Sequence, residues 1–413
     1  MNRGPMASIL RSTLTMVLAG GQGERLHPLT RDRAKPAVPF GGIYRIIDFT
    51  LSNCLNSNLH RIYVLTQYKS DSLNKHLRLG WNIFHEELDE FIVSVPPQFR
   101  GSADWYKGTA DAIFQNVYTL QEERPERVLI LAGDHIYRMD YGEMLQFHED
   151  NRADLTVAAV EVDRVSAQGF GVMSVDRKYR ITDFAEKPAD PFPHPERPHR
   201  VLVSMGIYVF DTATLVRAIS ADARKESHHD FGKNIVPELV QSHRVFAYPF
   251  EDEEGKPRYW RDVGTLDSLW ESNMDLVSSH PIFELDRADW PMRTYLEALP
   301  PARTVSGGGG DAGAVLDSMI SNGCVINGSR VERSILSPNV RVEAGATVSE
   351  SVVMDRVTIG RNARVRRAII DKGVHIPDGY EIGYDAAKDG KKFAVTSKGV
   401  VVVPKGMILD HGV

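Results

Sequence analysis

Leu14-Thr15-Met16-Val17-Leu18-Ala19-Gly20-Gly21-Gln22-Gly23-Glu24-Arg25-Leu26 carries an apolar run straight into three glycines and a cation. Residues 14–18 read as a strand, and glycines just after a strand let backbone N–H groups approach and cradle phosphate oxygens. Leu26, three residues after Gly23, rules out the dinucleotide fingerprint, and no Gly-Lys-Ser/Thr closes the turn as in a Walker loop. Beyond Arg25 comes a second cationic stretch, Arg33-Ala34-Lys35-Pro36-Ala37. Cations beside such a turn suit a triphosphate whose leaving group must be neutralised; the plainer reading is a solvated basic loop.

Further strands are expected at 61–66, 127–131, 155–162 and 204–210, with helix-like stretches at 109–121 and 141–151 between them. This alternation implies an α/β domain, a mostly parallel sheet with helices on both faces, whose ligands bind beyond the carboxyl ends of the strands. A chain of 413 residues exceeds the limit of about 250–300 for one hydrophobic core, so two domains are expected. The texture divides it into a loose tail at 1–12, a catalytic domain at 13–285, a linker at 286–312 and a repeat domain at 313–413. The linker holds Trp290, Pro291, Pro300, Pro301 and the tract Ser306-Gly307-Gly308-Gly309-Gly310.

Within the last domain, Val315-Leu316-Asp317-Ser318-Met319-Ile320 returns as Val331-Glu332-Arg333-Ser334-Ile335-Leu336, then as Val348-Ser349-Glu350-Ser351-Val352-Val353 and Val365-Arg366-Arg367-Ala368-Ile369-Ile370. Short strands interleave at Val340-x-Val342, Val357-x-Ile359 and Val374-x-Ile376. A period near 17 is the pattern of a parallel β-helix, in which each coil stacks its aliphatic side chains on the next; an antiparallel meander needs no such period.

Composition narrows the function. Apolar residues at 42% and charged residues at 25% are ordinary for a globular protein. A formal charge of −6 gives no electrostatic reason to bind nucleic acid or an anionic membrane. No segment approaches a membrane span, and the run after Arg11 is too short for a signal-peptide core. Two cysteines, Cys54 and Cys324, support neither a disulfide framework nor a zinc site, which points to a reducing, cytoplasmic setting.

Gly20-Gly21-x-Gly23-x-Arg25-Leu26, Lys35-Pro36-Ala37-Val38 and Arg45-Ile46-Ile47-Asp48-Phe49 resemble the nucleotide-sugar pyrophosphorylases, in particular the ADP-glucose pyrophosphorylases of glycogen and starch synthesis. The likeness continues through Trp105-Tyr106-x-Gly108-Thr109-Ala110-Asp111, Leu131-Ala132-Gly133-Asp134-His135-Ile136-Tyr137, Phe170-Gly171-Val172-Met173 and Glu186-Lys187-Pro188. Ser204-Met205-Gly206-Ile207-Tyr208, Asp230-Phe231-Gly232-Lys233 and Tyr259-Trp260-Arg261-Asp262-Val263-Gly264-Thr265 complete it. The resemblance implies a Rossmann-like nucleotidyltransferase domain of the GT-A type, a left-handed β-helix, and synthesis of ADP-glucose and pyrophosphate from ATP and glucose 1-phosphate.

Asp134, at a strand end, and Asp262, in a polar turn, could each simply bond a backbone. Together they could hold Mg²⁺, a hard ion that takes one or two carboxylates plus substrate phosphates, and the resemblance implies that role. It also implies Arg25 and Lys35 beside them in catalysis. Gly20, Gly21, Gly23, Gln67, Gly108 and Asp111 fall to the nucleotide, and Tyr106, Gly171, Glu186, Lys187 and Ser204 to glucose 1-phosphate. Glu186-Lys187 alone would otherwise read as an exposed ion pair.

Members of that family are commonly regulated by small anions bound between the two domains, and assemble as homotetramers. Arg45, Arg364, Arg366 and Arg367 are the candidate effector cations here. Asp32, Pro39 and Glu122 replace basic positions of the enterobacterial effector site, so an altered preference with weak activation by fructose 1,6-bisphosphate is expected. Alternatives are a pyrophosphorylase for another base or sugar, a catalytically dead regulatory subunit, and an acyltransferase built on the β-helix. Retained Arg25, Lys35, Asp134, Lys187 and Asp262 oppose the regulatory subunit. The acyltransferase needs a catalytic histidine and a longer helix, and only His375 lies within the repeats.

Overall fold

A computed structural model describes residues 5–98, 105–193, 197, 199–306 and 313–410. At the centre of a nine-stranded sheet, β1 (Thr13–Ala19) pairs in parallel with β2 (Arg61–Thr66), which leads to β3 (Phe91–Val95), and on its other side with β4 (Arg127–Ala132). β5 (Leu155–Asp163), β6 (Gly171–Val175), β7 (Ile181–Glu186), β8 (Arg200–Asp211) and β9 (Val245–Pro249) complete it. β8 runs antiparallel to β4, β5 and β6, so the sheet is mixed while the half that follows the glycine turn is parallel.

Helices cover both faces: α1 (Pro5–Arg11), α2 (Ile46–Asn56), α3 (Asp71–Gly80), α4 (Thr109–Phe114), α5 (Val117–Glu123), α6 (Tyr141–Asp150), α7 (Thr212–Asp222), α8 (Val236–Val240) and α9 (Leu266–Leu276). Strand periodicity decides which face each residue serves. Val17 and Ala19 share a core with Ile47, Leu73 and Met144 of α2, α3 and α6. Leu14 and Met16 point the other way, into a core with Ala110, Leu215 and Val236 of α4, α7 and α8. Among the described residues no helix is long and apolar enough to cross a membrane.

Two expectations change. Residues 5–11, expected loose, form α1, because Ile9 is drawn into the core and its carbonyl accepts the hydroxyls of Ser12 and Thr13. The stretch 109–121 is two helices, α4 and α5, parted at Gln115–Asn116. There the Asn116 amide donates to the Ala112 carbonyl (2.8 Å) and the Tyr106 hydroxyl (3.1 Å). A side chain competing for backbone acceptors is a usual cause of such breaks.

The repeats form three parallel stacks of short strands. Val315, Val331, Val348, Val365 and Ile382 stand in register on successive coils and fill one core. The recurring serine has its own task. Each hydroxyl donates to the carbonyl two residues back and accepts the N–H of the matching residue one coil on, from Ser318 to Ser334 to Ser351 to Ala368. Just before each of these four positions, Asp317, Arg333, Glu350 and Arg367 turn the corner at φ 45–48°.

The domains share a core in which Leu26, Val38, Phe49 and Trp270 meet Ile335, Val352, Met354 and Ile369. Arg33 crosses into it and bonds both oxygens of Asp371 (2.8 and 2.9 Å), with both side chains buried. Removing one partner of such a pair costs about 3–5 kcal/mol, because the other charge is left buried. The segment expected as a linker is pinned as a strap across α2: Trp290 donates to Asn53, Arg293 to Ser52, and Thr294 to the buried Asp48. Asp48 also accepts from His76 (2.6 Å), Trp81 (2.8 Å) and the Arg45 N–H (2.8 Å). β-Helix pairing already begins at Arg303–Val305, inside the expected linker. The tract at 307–310 lies outside the described residues.

Ser351→Ala is expected to leave the buried Ala368 N–H without an acceptor and to lower stability by about 1–3 kcal/mol in chemical denaturation. An unchanged midpoint would contradict the ladder.

Candidate active site

A cavity of about 580 Å³ opens beyond the carboxyl ends of β1, β2 and β4. Gly20, Gly21, Gln67, Tyr106, Gly108, Asp134, Glu186, Tyr208 and Asp230 are among the residues that line it. Its size lies within the range of small-ligand sites.

Asp134 follows β4 after Gly133 and precedes the short strand His135–Tyr137, which pairs antiparallel with Trp260–Asp262 so that Asp262 faces His135. That ribbon brings two acids 128 positions apart in sequence to one point. Lys35 lies between them, its Nζ 2.7 Å from Asp134 Oδ2 and 3.1 Å from Asp262 Oδ1. His135 Nε2 stands 3.5 Å from Asp134. The donor atoms of Asp134, His135 and Asp262 lie within 4.8 Å of one another. Burial opposes ionisation of Asp134, but Lys35, His135 and Arg25 outweigh it and hold the carboxyl at about 2. Burial likewise opposes the charge on Lys35, yet the two carboxylates raise its pKa above the ordinary lysine value. Both groups are therefore charged at neutral pH. An ammonium already sits between two hard oxygen donors, so the pair fits a divalent cation of the magnesium type.

Glycines make room for this arrangement. Gly23 turns at φ +66° in the left-handed region and starts the short turn Glu24–Leu26 that carries Arg25. A Cβ on Gly264 would stand 2.9 Å from both Arg25 Nη2 and Asp262 Oδ1. Around Glu186, a Cβ on Gly232 would come within 2.4 Å of its Oε2 and one on Gly171 within 2.8 Å. Burial, then the nearby Asp230, raise the Glu186 pKa; Lys187, 3.6 Å away, partly opposes them. Ser204 and Tyr208 flank a register shift in β8, where Gly206 adopts φ +68°. Bulges of this kind re-aim side chains next to sites.

Some expected residues stand elsewhere. Asp111 accepts the Lys107 N–H (2.8 Å) and Gln115 (2.9 Å), closing the loop before α4 rather than lining the cavity. Lys187 is 57% exposed and does not line the cavity, though the neighbouring Glu186 does. Arg45 lies in an interdomain cleft, apart from the three coil arginines. Arg364 pairs with Glu381 (2.7 Å) and covers the Tyr384 ring, Arg367 covers Trp270, and Arg366 is exposed. Tyr68, Tyr208, Asp230, Phe231 and Gly232 join the walls without having been assigned a role from the sequence. Tyr208 and the stretch 230–232 lie in motifs that carry the resemblance, which was the signal for them; Tyr68 had none.

Residues 14–279 match the nucleotidyl transferase family, and residues 300–403 match the GlmU-like C-terminal hexapeptide family. Glucose-1-phosphate adenylyltransferase 2 of Vibrio cholerae is 51% identical over 96% of this chain and 98% of its own length. Glucose-1-phosphate adenylyltransferases of Rhodopirellula baltica and Koribacter versatilis are 50% and 49% identical, over 99% and 95% of this chain and 92% and 95% of theirs. The chain belongs to the glucose-1-phosphate adenylyltransferase family. The match to these relatives runs through both domains.

Gly108 carries a local test. A Cβ there would meet the carbonyl oxygens of His228 and His229 at 2.3 Å. Gly108→Ala is expected to lower stability by about 1–3 kcal/mol in urea denaturation; wild-type stability would contradict the close approach.

Proposed function

We propose that the phosphate oxygen of glucose 1-phosphate attacks the α-phosphorus of ATP, forming ADP-glucose as the bond to the β-phosphate breaks and pyrophosphate leaves. The observation that carries this reading is the Lys35 ammonium bonded to both Asp134 and Asp262, with Asp134 lining the same cavity as Gly20, Gly21 and Glu186. A phosphate monoester has a second pKa of about 6, so the nucleophile is already anionic and needs no general base. What the site must provide is alignment of two repelling anions and neutral surroundings for the leaving group.

In this reading Gly20, Gly21 and Gly23 present backbone to the triphosphate, Gln67 and Gly108 border the base, and Arg25 and Lys35 face the leaving pyrophosphate. Glu186 accepts sugar hydroxyls, the neighbouring Lys187 meets the sugar phosphate, and Tyr106, Gly171 and Ser204 shape the pocket around them. Asp111 acts by holding the loop. Asp134 and Asp262 would hold Mg²⁺, which when bound supplies positive charge to the triphosphate.

The cleft between the domains supports an anionic effector site: Arg45, Lys75, His76, Arg356 and Lys372 line it. Three of these groups already bond carboxylates, Lys372 with Asp355 (2.6 Å), Arg356 with Glu297 (2.9 Å) and His76 with Asp48 (2.6 Å), so an anion must compete with resident carboxylates. That favours a weak response to fructose 1,6-bisphosphate, bound through Arg45 rather than the coil arginines Arg364, Arg366 and Arg367. A homotetramer in a reducing cytoplasm, where the buried thiols of Cys54 and Cys324 stay free, completes the proposal.

Pyrophosphate release from ATP and glucose 1-phosphate, with UTP, dTTP, GTP and CTP as controls, tests the reaction; faster release with another nucleotide would replace ADP-glucose as product. Asp134→Asn is expected to cut turnover at least about a hundredfold with the fold intact, and near-normal turnover would refute its role. Lys187→Ala should mainly raise KM for the sugar phosphate; a selective loss of ATP affinity would move Lys187 to the nucleotide side.

A further inference from the structure

The segment between α7 and α8 belongs to neither wall of the cavity alone, yet it touches both. Asp222, the last residue of α7, is buried; its Oδ2 lies 2.8 Å from His229 Nδ1, and its Oδ1 accepts the Ser227 hydroxyl at 2.8 Å. Ser227 Oγ in turn accepts the His229 N–H at 2.9 Å. These bonds hold His229 at φ +49°, a left-handed conformation uncommon for any residue but glycine. The reason for imposing it is visible on the other side of the residue. The His229 carbonyl accepts the N–H groups of Ala110 (2.8 Å) and Asp111 (3.3 Å), and so caps α4, whose own cap residue Gly108 offers no side chain. The next residue, Asp230, accepts the Thr109 hydroxyl at 3.0 Å, and that hydroxyl accepts the Phe231 N–H at 3.0 Å. Phe231 then stacks on Tyr208 with ring centres 5.4 Å apart, and Gly232 lies beneath Glu186.

We propose that Asp222, Ser227 and His229 form a positioning clamp that fixes the loop at Gly108, on the nucleotide side, relative to Glu186, on the sugar side. The inference rests on the two-subsite reading given above. None of the three side chains lines the cavity among its described walls, so they act through Gly108, Asp230 and Gly232. In-line attack between two anions depends on their mutual placement, and a misplacement of about 1 Å can lower the rate by about a hundredfold. Each subsite keeps its own contacts if the clamp loosens, so binding should suffer less than turnover.

His229→Gly tests this, because glycine accepts the left-handed backbone while removing the ring. His229→Asn is the conservative partner, since asparagine tolerates that conformation and keeps a short donor. For His229→Gly the clamp predicts a kcat lowered about tenfold or more, with KM for ATP and for glucose 1-phosphate each within about threefold of wild type, and recovery of kcat in His229→Asn. Hydrogen exchange at the amides of Ala110 and Asp111 should quicken in His229→Gly and recover in His229→Asn. Unchanged exchange overturns the clamp whatever the reaction. So does a wild-type kcat in His229→Gly, or a loss that falls on KM and is not rescued by asparagine. Absence of pyrophosphate release by the wild-type chain would instead sink the reaction assigned above, while exchange would still judge the clamp.

Discussion

Two carboxylates share one ammonium, and most of the site follows from that contact. Lys35 comes from the turn after β1, Asp134 from the end of β4, and Asp262 from a strand far along the chain. Left apart, three buried or half-buried charges would each carry a desolvation penalty; together each compensates the others. The contact also fixes where cationic chemistry is concentrated. Arg25 is held beside it by a turn that needs a left-handed glycine, and Gly264 leaves the space for its guanidinium. Asp134 carries the contact into the cavity, which Gln67 and Glu186 also line.

Packing of the second domain bears on the same centre. Arg33 is two residues from Lys35 and is locked to Asp371 on the β-helix. The loop that presents Lys35 is thus anchored from behind by the other domain, and the strap on Asp48 ties the connection down over α2. Any ligand in the cleft beside Arg45 sits against this junction. An effector bound there, as proposed, would have a physical handle on the loop that presents Lys35, because Arg45 and Lys35 belong to one short stretch of chain.

Much of this was legible before any coordinates. A period near 17 carries its own register, so the stacks of Val315, Val331, Val348 and Val365 could be written down from the sequence. The glycine turn and the strand-terminal Asp134 were equally plain, because a single strand and its next residues determine them. What stayed hidden depended on partners distant in sequence. The α1 helix is short and is held through Ile9, which only the folded core reveals. The strap at 290–294 reads as Pro- and Trp-bearing linker until Asn53, Ser52 and Asp48 are seen beneath it. The coil arginines share a stretch of sequence with one another but not with Arg45, since alternation on a strand and a left-handed corner send them outward. His229 carries no local signal at all; its importance lies in a carbonyl that caps another helix.

The convergence of Asp134 and Asp262 on one cation can be measured by a double-mutant cycle on pyrophosphate release at saturating ATP, glucose 1-phosphate and magnesium. Asp134→Asn, Asp262→Asn and the double variant are compared with wild type. If both carboxylates serve one centre, the second substitution lowers kcat by less than about tenfold beyond the first. Two losses that multiply in full would contradict a shared centre.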